Sequence, residues 1–292
     1  MGAAFRSRPV AAPPGARYPG AVLTDAHIHF ADLAARDPGF ASAYAAGPYL
    51  ACAASHDEPE FLATEALARP GPGRPEGLSF VSSFGIHPQW AVWKNADFLA
   101  ELAASGRVAA IGEAGFDFFG DRPERVRTKE NLEAQTAVFE YQLELALARG
   151  LPMLLHVRKA MDLVFAYAPR LRRLPSLVLH SFQGTAGEAL ALLGRGVPAY
   201  FSFGAAILNG HKRAQDACAA VPPDRLLSET DAPWQPPRGE AFCRLEHLAL
   251  VVGGMAAIRG VDREALEERL ALNFAAAYPA AAGLARAGGG KP

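Results

Sequence analysis

The chain has 292 residues, half of them hydrophobic and 20% charged, the balance of a folded globular domain and too apolar for a disordered or collagen-like one. Its formal net charge of −1 excludes a chain-wide electrostatic pull toward nucleic acid or anionic lipid, so any polyanion it handles must be gripped locally. Cys52, Cys218 and Cys243 are odd in number and lack C-x-x-C spacing, which argues against a disulfide framework or a thiolate zinc site and fits a reducing cytoplasm.

In chain order, residues 1–20 carry arginines and prolines without a continuous apolar segment and read as a flexible arm, not a secretory signal. Val22-Leu23 opens the first candidate strand and Pro48 to Ser55 forms the second, followed by a helix over Glu58 to Ala68 and the Pro70 to Pro75 loop. Leu78 to Gly85 is the third strand, with a helix over Ala96 to Ala104, and Arg107 to Gly112 is the fourth. The clearest helix spans Thr128 to Arg149, where Leu132, Phe139, Leu143 and Leu147 line one face before Gly150 and Pro152 end it. Strands over Pro152 to Leu155, Leu177 to Leu179, Pro198 to Phe203 and Leu226 to Ser228 alternate with helices over Met161 to Tyr167, Ala186 to Gly194 and Lys212 to Ala220. Helices over Phe242 to Ile258 and Asp262 to Tyr278, the latter capped by Asp262, precede a tail over 281–292.

The strand runs are too uniformly apolar for sheets with one wet face, as expected of parallel strands covered by helices. Eight of them alternating with helices predict an α/β fold, a (β/α)8 TIM barrel over 21–280 as a single domain, with a doubly wound open sheet as the alternative. The apolar run Leu248 to Ile258 is too short to span a bilayer, and neither a membrane role nor a stable protein partner is implied.

Several strand runs end on side chains that bind metals. His27 and His29 are two apart, so on a strand both project to one side, roughly 6 to 7 Å apart along the backbone. Asp25 before them is either an acceptor for an imidazole N–H or a polar strand start. Glu113 stands between Gly112 and Gly115 at the end of an apolar run, where a buried carboxylate needs a cationic partner, and Asp117, four residues on, is a candidate orienting residue. His156 and His180 end successive strands, and Asp231 ends the last before Pro233 forces the chain out of regular structure. In a parallel barrel these ends share one mouth. Four histidines and two carboxylates make an N/O ligand set suited to zinc, magnesium or manganese, and six ligands suit two divalent ions, hence hydrolysis with a metal-activated water. Arg158 shares the strand face of His156 and offers a cation to an anionic substrate, with Lys159 facing away; His87 ends the third strand segment as a substrate contact. His56, His211 and His247 sit in polar or helical stretches and read as solvated.

Together, Thr24-Asp25-Ala26-His27-Ile28-His29, Gly85-Ile86-His87-Pro88, Gly112-Glu113-Ala114-Gly115-Phe116-Asp117, Leu154-Leu155-His156-Val157-Arg158-Lys159, His180-Ser181-Phe182-Gln183-Gly184 and Glu229-Thr230-Asp231-Ala232-Pro233 resemble the TatD family of metal-dependent hydrolases in the amidohydrolase superfamily. The resemblance implies that His27, His29 and Asp231 hold one ion and His156 and His180 another, with Glu113 bridging and Asp231 taking the proton of the attacking water. It also implies phosphodiester hydrolysis, with DNA as substrate for a deoxyribonuclease of exonuclease type. The chain departs from the family pattern at Phe116 and Phe118-Phe119, where leucine and tyrosines are usual, and after Asp231, where an Arg-Asn-Glu-Pro stretch is missing. Alternatives are a metal-dependent hydrolase of a carboxylic ester or amide, such as an aminoacyl-tRNA deacylase, a histidinol-phosphatase-type phosphoesterase, and a barrel that binds ligand without turnover.

Overall fold

All eight predicted strands form, and three, the first, fourth and fifth, are longer than their apolar runs. In the computed structural model, which describes residues 22–71 and 76–281, the order is Leu23–Ile28 (β1), Phe30–Arg36 (α1), Phe40–Ala46 (α2), Tyr49–Ser55 (β2), Glu58–Leu67 (α3), Val81–Phe84 (β3), Ala96–Ser105 (α4) and Ala110–Asp117 (β4). It continues with Lys129–Arg149 (α5), Met153–Arg158 (β5), Met161–Leu171 (α6), Leu177–Leu179 (β6), Ala186–Gly194 (α7), Ala199–Phe203 (β7), Lys212–Ala220 (α8), Leu226–Ser228 (β8), His247–Arg259 (α9) and Arg263–Ala277 (α10). The arm expected over 1–20, much of the proline-rich loop and the tail beyond 281 lie outside the described residues.

The strands form one parallel sheet in sequential order, the (β/α)8 barrel the alternation predicts. Between β8 and β1 the ring is drawn together by single contacts: Asp231 N–H donates to His27 O (2.9 Å), His29 N–H to Ala232 O (2.9 Å), and Ser228 Oγ to Thr24 O (2.7 Å). Asp25 reinforces this seam, accepting from Thr230 N (3.0 Å) and Thr230 Oγ1 (2.6 Å) as well as His27 N (3.2 Å). It therefore clasps the first strand to the last and takes no imidazole proton, which settles the two alternatives in favour of neither.

Two strands carry an extra residue against their neighbours. Asp25 pairs with Ala51 but Ile28 with Ala53, and Ile111 pairs with Met153 but Ala114 with Leu155. Each bulge falls on a ligand motif, His27 in β1 and Glu113 in β4, and re-aims that side chain out of simple alternation. Gly112 (φ 149°) and Gly115 (φ 130°) flank Glu113 in conformations open to glycine, and a Cβ on either would sit 2.2 Å from a β5 carbonyl, Leu154 O or His156 O.

At the far end, α10 plugs the barrel. Tyr278, fully buried, packs with Phe274 against Ala26, Leu50, Val178 and Leu227, and its hydroxyl donates to Ala26 O (2.9 Å). Outside the strands, α5 does more than bury Phe139 and Leu143: Gln135 pairs both backbone polar groups of Asp117 (2.8 and 3.0 Å), and Gln142 those of Ile86 (2.8 and 3.1 Å). These two glutamines, seven apart on one face, fix the loops that carry His87 and the end of β4. The helix starts at Thr128, whose Oγ1 accepts from Asn131 N, and stops at left-handed Gly150.

The short helices α1 and α2 were not anticipated, since seven residues give too little periodicity to read. The helix expected from Phe242 begins at His247. His247 is buried at the start of α9, its Nδ1 accepting from Arg244 N (3.1 Å), so it is not the solvated residue its polar context suggests. His211 is exposed, as expected.

Candidate metal centre

Glu113 is the hub of the barrel mouth. Its Oε1 lies 2.7 Å from His27 Nε2, 3.5 Å from His29 Nε2 and 3.5 Å from His56 Nε2. Its Oε2 lies 3.0 Å from His87 Nε2, 3.4 Å from His156 Nδ1 and 3.3 Å from His180 Nε2. Asp231 Oδ1 joins the first group, 3.3 Å from His27 Nε2 and 3.5 Å from His29 Nε2. The structure thus brings together all six side chains predicted as ligands, and it divides them between the two oxygens of one carboxylate.

Three of the imidazoles near Glu113 are set by what their other nitrogen touches. His156 Nε2 meets Asp117 Oδ2 at 2.9 Å, leaving Nδ1 directed at Glu113, and His29 Nδ1 meets Glu60 Oε1 at 3.3 Å, leaving Nε2 directed inward. Asp117 is itself held by Gln89 Nε2 (2.9 Å) and Arg125 Nη2 (2.8 Å), and the side chain it orients is that of His156. His87 differs: its Nδ1 accepts from Gln89 N (3.1 Å), so Nε2 carries the proton and donates to Glu113 Oε2. His87 is in this respect a donor, and burial lowers its pKa to about 3, keeping it neutral.

The donor set fits metal ions. His27 Nε2 and His29 Nε2 are 3.1 Å apart, as are His156 Nδ1 and His180 Nε2, and six imidazole nitrogens crowd a carboxylate with about four lone-pair directions. Nδ1 of both His27 and His180 is buried without a hydrogen-bond partner. Burial opposes ionisation of Glu113, but His180, His27 and His87 outweigh it and hold its carboxyl well below the usual range; Asp231 is held low in the same way by His27 and His29. Burial likewise disfavours charge on His27, yet Glu113 and Asp231 lift its pKa to about 10. The pocket therefore attracts positive charge, and His27, Glu113, His180 and Asp231 present ligand atoms close enough together to share an ion, as do His87, Glu113 and His156.

Residues 24–279 match the family described as "TatD related DNase". The chain belongs to that family. Among TatD relatives, a "3'-5' ssDNA/RNA exonuclease TatD" of Erwinia billingiae is 36% identical over 198 residues, 63% of this chain and 72% of the relative. Its counterpart in Erwinia amylovora is 33% identical over 211 residues, covering 68% and 77%. The crystal structure of YJJV, a TatD homologue from Escherichia coli K12, superposes with a TM-score of 0.72 and 25% identity, covering 88% of this chain and 98% of that one. A hydrolase of the TatD family from Entamoeba histolytica shares the fold at a TM-score of 0.68 and 17% identity.

Where this chain departs from the TatD pattern, new contacts fill the mouth. After Asp231, in the left-handed region at φ 57°, Gln235 donates to Asp231 Oδ2 (2.5 Å) and accepts from Ser181 Oγ (2.9 Å), while Trp234 lies under Arg36 at 4.4 Å. Phe119 carries Arg125, Arg158 and Lys159 at 5.4, 5.9 and 5.0 Å from its ring. Lys159 does not face away as strand alternation predicts. Its φ of 51° breaks the strand, and the ammonium returns to the mouth to donate to Phe119 O (2.8 Å). Arg158 lines the cleft beside His156 and His180, where predicted.

Three site residues escaped the sequence reading. His56 is not solvated but packed on His29 and His87 with its buried Nε2 unpartnered and facing Glu113; its flanking Ser55 and Asp57 concealed this. Glu60 reads as a first-turn helix residue, and only its place one turn after His56 hints at more. Glu229 was quoted only as part of a motif; it is buried, accepts from Ser181 N (2.6 Å), lies 3.9 Å from His180 Nδ1, and is pushed by burial up to about 8.

Proposed function

We propose that this protein is a divalent-metal-dependent exonuclease that hydrolyses phosphodiesters at the ends of single-stranded DNA or RNA. The observation that carries the reading is the division of imidazoles around Glu113, beneath a cleft of about 500 Å³ lined by Arg122, Arg125 and Arg158. The names of the TatD relatives support the substrate class. His27, His29 and Asp231 would hold one ion with Glu113 Oε1, and His156 and His180 a second with Oε2. Zinc, magnesium or manganese bound there supplies Lewis acidity toward water and compensates phosphoryl charge.

The chain's own groups do the rest. Asp231, kept ionised by its imidazole neighbours and steadied by Gln235, takes the proton of the attacking water while the water oxygen bonds to phosphorus and the sugar oxygen leaves. Arg158 binds a non-bridging phosphate oxygen, and His87, neutral and protonated on Nε2, turns that N–H from Glu113 Oε2 to a second one when substrate enters. Element-resolved metal analysis followed by nucleotide release from single-stranded DNA tests this. Asp231→Asn should slow release by about 10²- to 10⁴-fold; equal rates reject the proposal. Turnover of carboxylic esters or aminoacyl-tRNA with DNA left intact would assign the site to the ester chemistry instead.

A further inference from the structure

The cleft above Glu113 is the middle of three adjoining hollows. It shares His56, His87 and Trp90 with a hollow of about 670 Å³ on one side, and Arg158 and His180 with one of about 460 Å³ on the other. Together they make a trough across the barrel mouth, and its two ends differ in charge.

At the smaller end stand Arg158, Lys159 and Arg213. The two acids there are engaged, Asp162 with Arg127 and Glu188 in the capping box of Thr185. Arg158 and Arg213 have no carboxylate partner among the described residues, and Lys159 donates to a carbonyl. The larger end holds Asp32, Asp57 and Glu60 with a single lysine, Lys94; Asp57 caps α3 and Glu60 meets His29 and His56, which leaves Asp32 as the acid there without a partner among the described residues, and the wall is Trp90, 57% exposed beside His87. A polyphosphate strand is attracted at the end with three cations and gains no such attraction at the other. An indole this exposed suits a single unstacked base.

We propose that single-stranded nucleic acid lies in this trough in one direction only: the polymer's phosphates run over Arg158, Lys159 and Arg213, and the terminal nucleoside enters the acidic hollow with its base on Trp90. This deepens the nuclease reading and rests on it. The hollow beyond Trp90 offers a further phosphate no cluster of cations like that at the other end, so the trough favours a chain end there.

Fluorescence anisotropy tests the polarity, using labelled dinucleotide and dodecamer on Asp231→Asn protein with the divalent ion present, across a salt series. Lys159→Ala with Arg213→Ala should lower the log–log salt slope for the dodecamer by about 1.4, roughly 0.7 for each lost phosphate contact, and leave the dinucleotide slope unchanged. Arg172→Ala with Arg173→Ala removes the same charge from the end of α6 and should alter neither slope. Trp90→Ala should weaken both oligonucleotides by the same factor, about tenfold. The paired glutamine variants repeat the measurement if the alanine pair fails to fold by circular dichroism. Equal slopes for the Lys159/Arg213 pair and the control, or a Trp90→Ala penalty that grows with length, overturn the polarity even where nucleotides are released. Absence of both binding and release would instead remove the nuclease reading beneath it.

Discussion

Asp117 and Glu60 act on different imidazoles to the same end. By taking the proton of His156 Nε2 and His29 Nδ1, they leave a lone pair on the opposite nitrogen facing Glu113. Asp117→Asn and Glu60→Gln are each expected to weaken metal binding by about 10- to 100-fold, read by chelator competition; unchanged affinity would mean the imidazoles are held by packing alone. Such residues mark the limit of the sequence reading at this scale. His156 and His180 were legible because each ends an apolar run, where a lone polar side chain stands out, and His27 and His29 because they stand two apart. His56 and Glu60 were not, since polar neighbours give the same pattern whether a side chain faces solvent or a buried carboxylate.

Among the elements, β1 and β4 came out short in the sequence reading for one reason: both run on through polar ligand motifs after the apolar signal stops, and both bulge there. Alternation correctly put His27 and His29 on one side, because the bulge shifts the register against the neighbour without separating them. The same rule failed at Lys159, where a left-handed residue ends the strand. At the seam, Thr230 Oγ1 both donates to Asp25 and accepts from Ala232 N (3.1 Å). Thr230→Val keeps the shape and removes both bonds, leaving a buried carboxyl short of a donor. A loss of about 1–3 kcal/mol in denaturant unfolding is expected, together with weaker metal binding, because His27 and Asp231 meet across this seam. Stability lost with metal affinity intact would separate the seam from the site.

For the molecule as a whole, the barrel was legible from eight evenly spaced apolar runs with helices between, whereas the charge division along the trough was not. A formal charge of −1 averages over it, and Arg213 and Lys159 gather at one end, with Asp32 toward the other, only on folding. The proposed ligands come from β1, β4, β5 and the residues following β1, β6 and β8, so bound ions tie together elements around the ring. Ions in hundredfold excess over their dissociation constant add about 2.7 kcal/mol, so chelation should lower the melting temperature by roughly 5–10 °C. A chelator-insensitive melting curve would count against ions at this centre.

The seam also bears on synthesis. Asp25 and Thr230 are 205 residues apart, so their contact closes a loop spanning most of the chain. The Oε2 group can assemble from residues up to His180, but the Oε1 group waits for Asp231. A growing chain can thus own half a centre long before it owns a hydrolytic one, and the arrival of the last strand gates catalysis. For an enzyme proposed to degrade single-stranded nucleic acid, RNA included, that delay keeps the unfinished product from acting while it is still attached to its own template machinery.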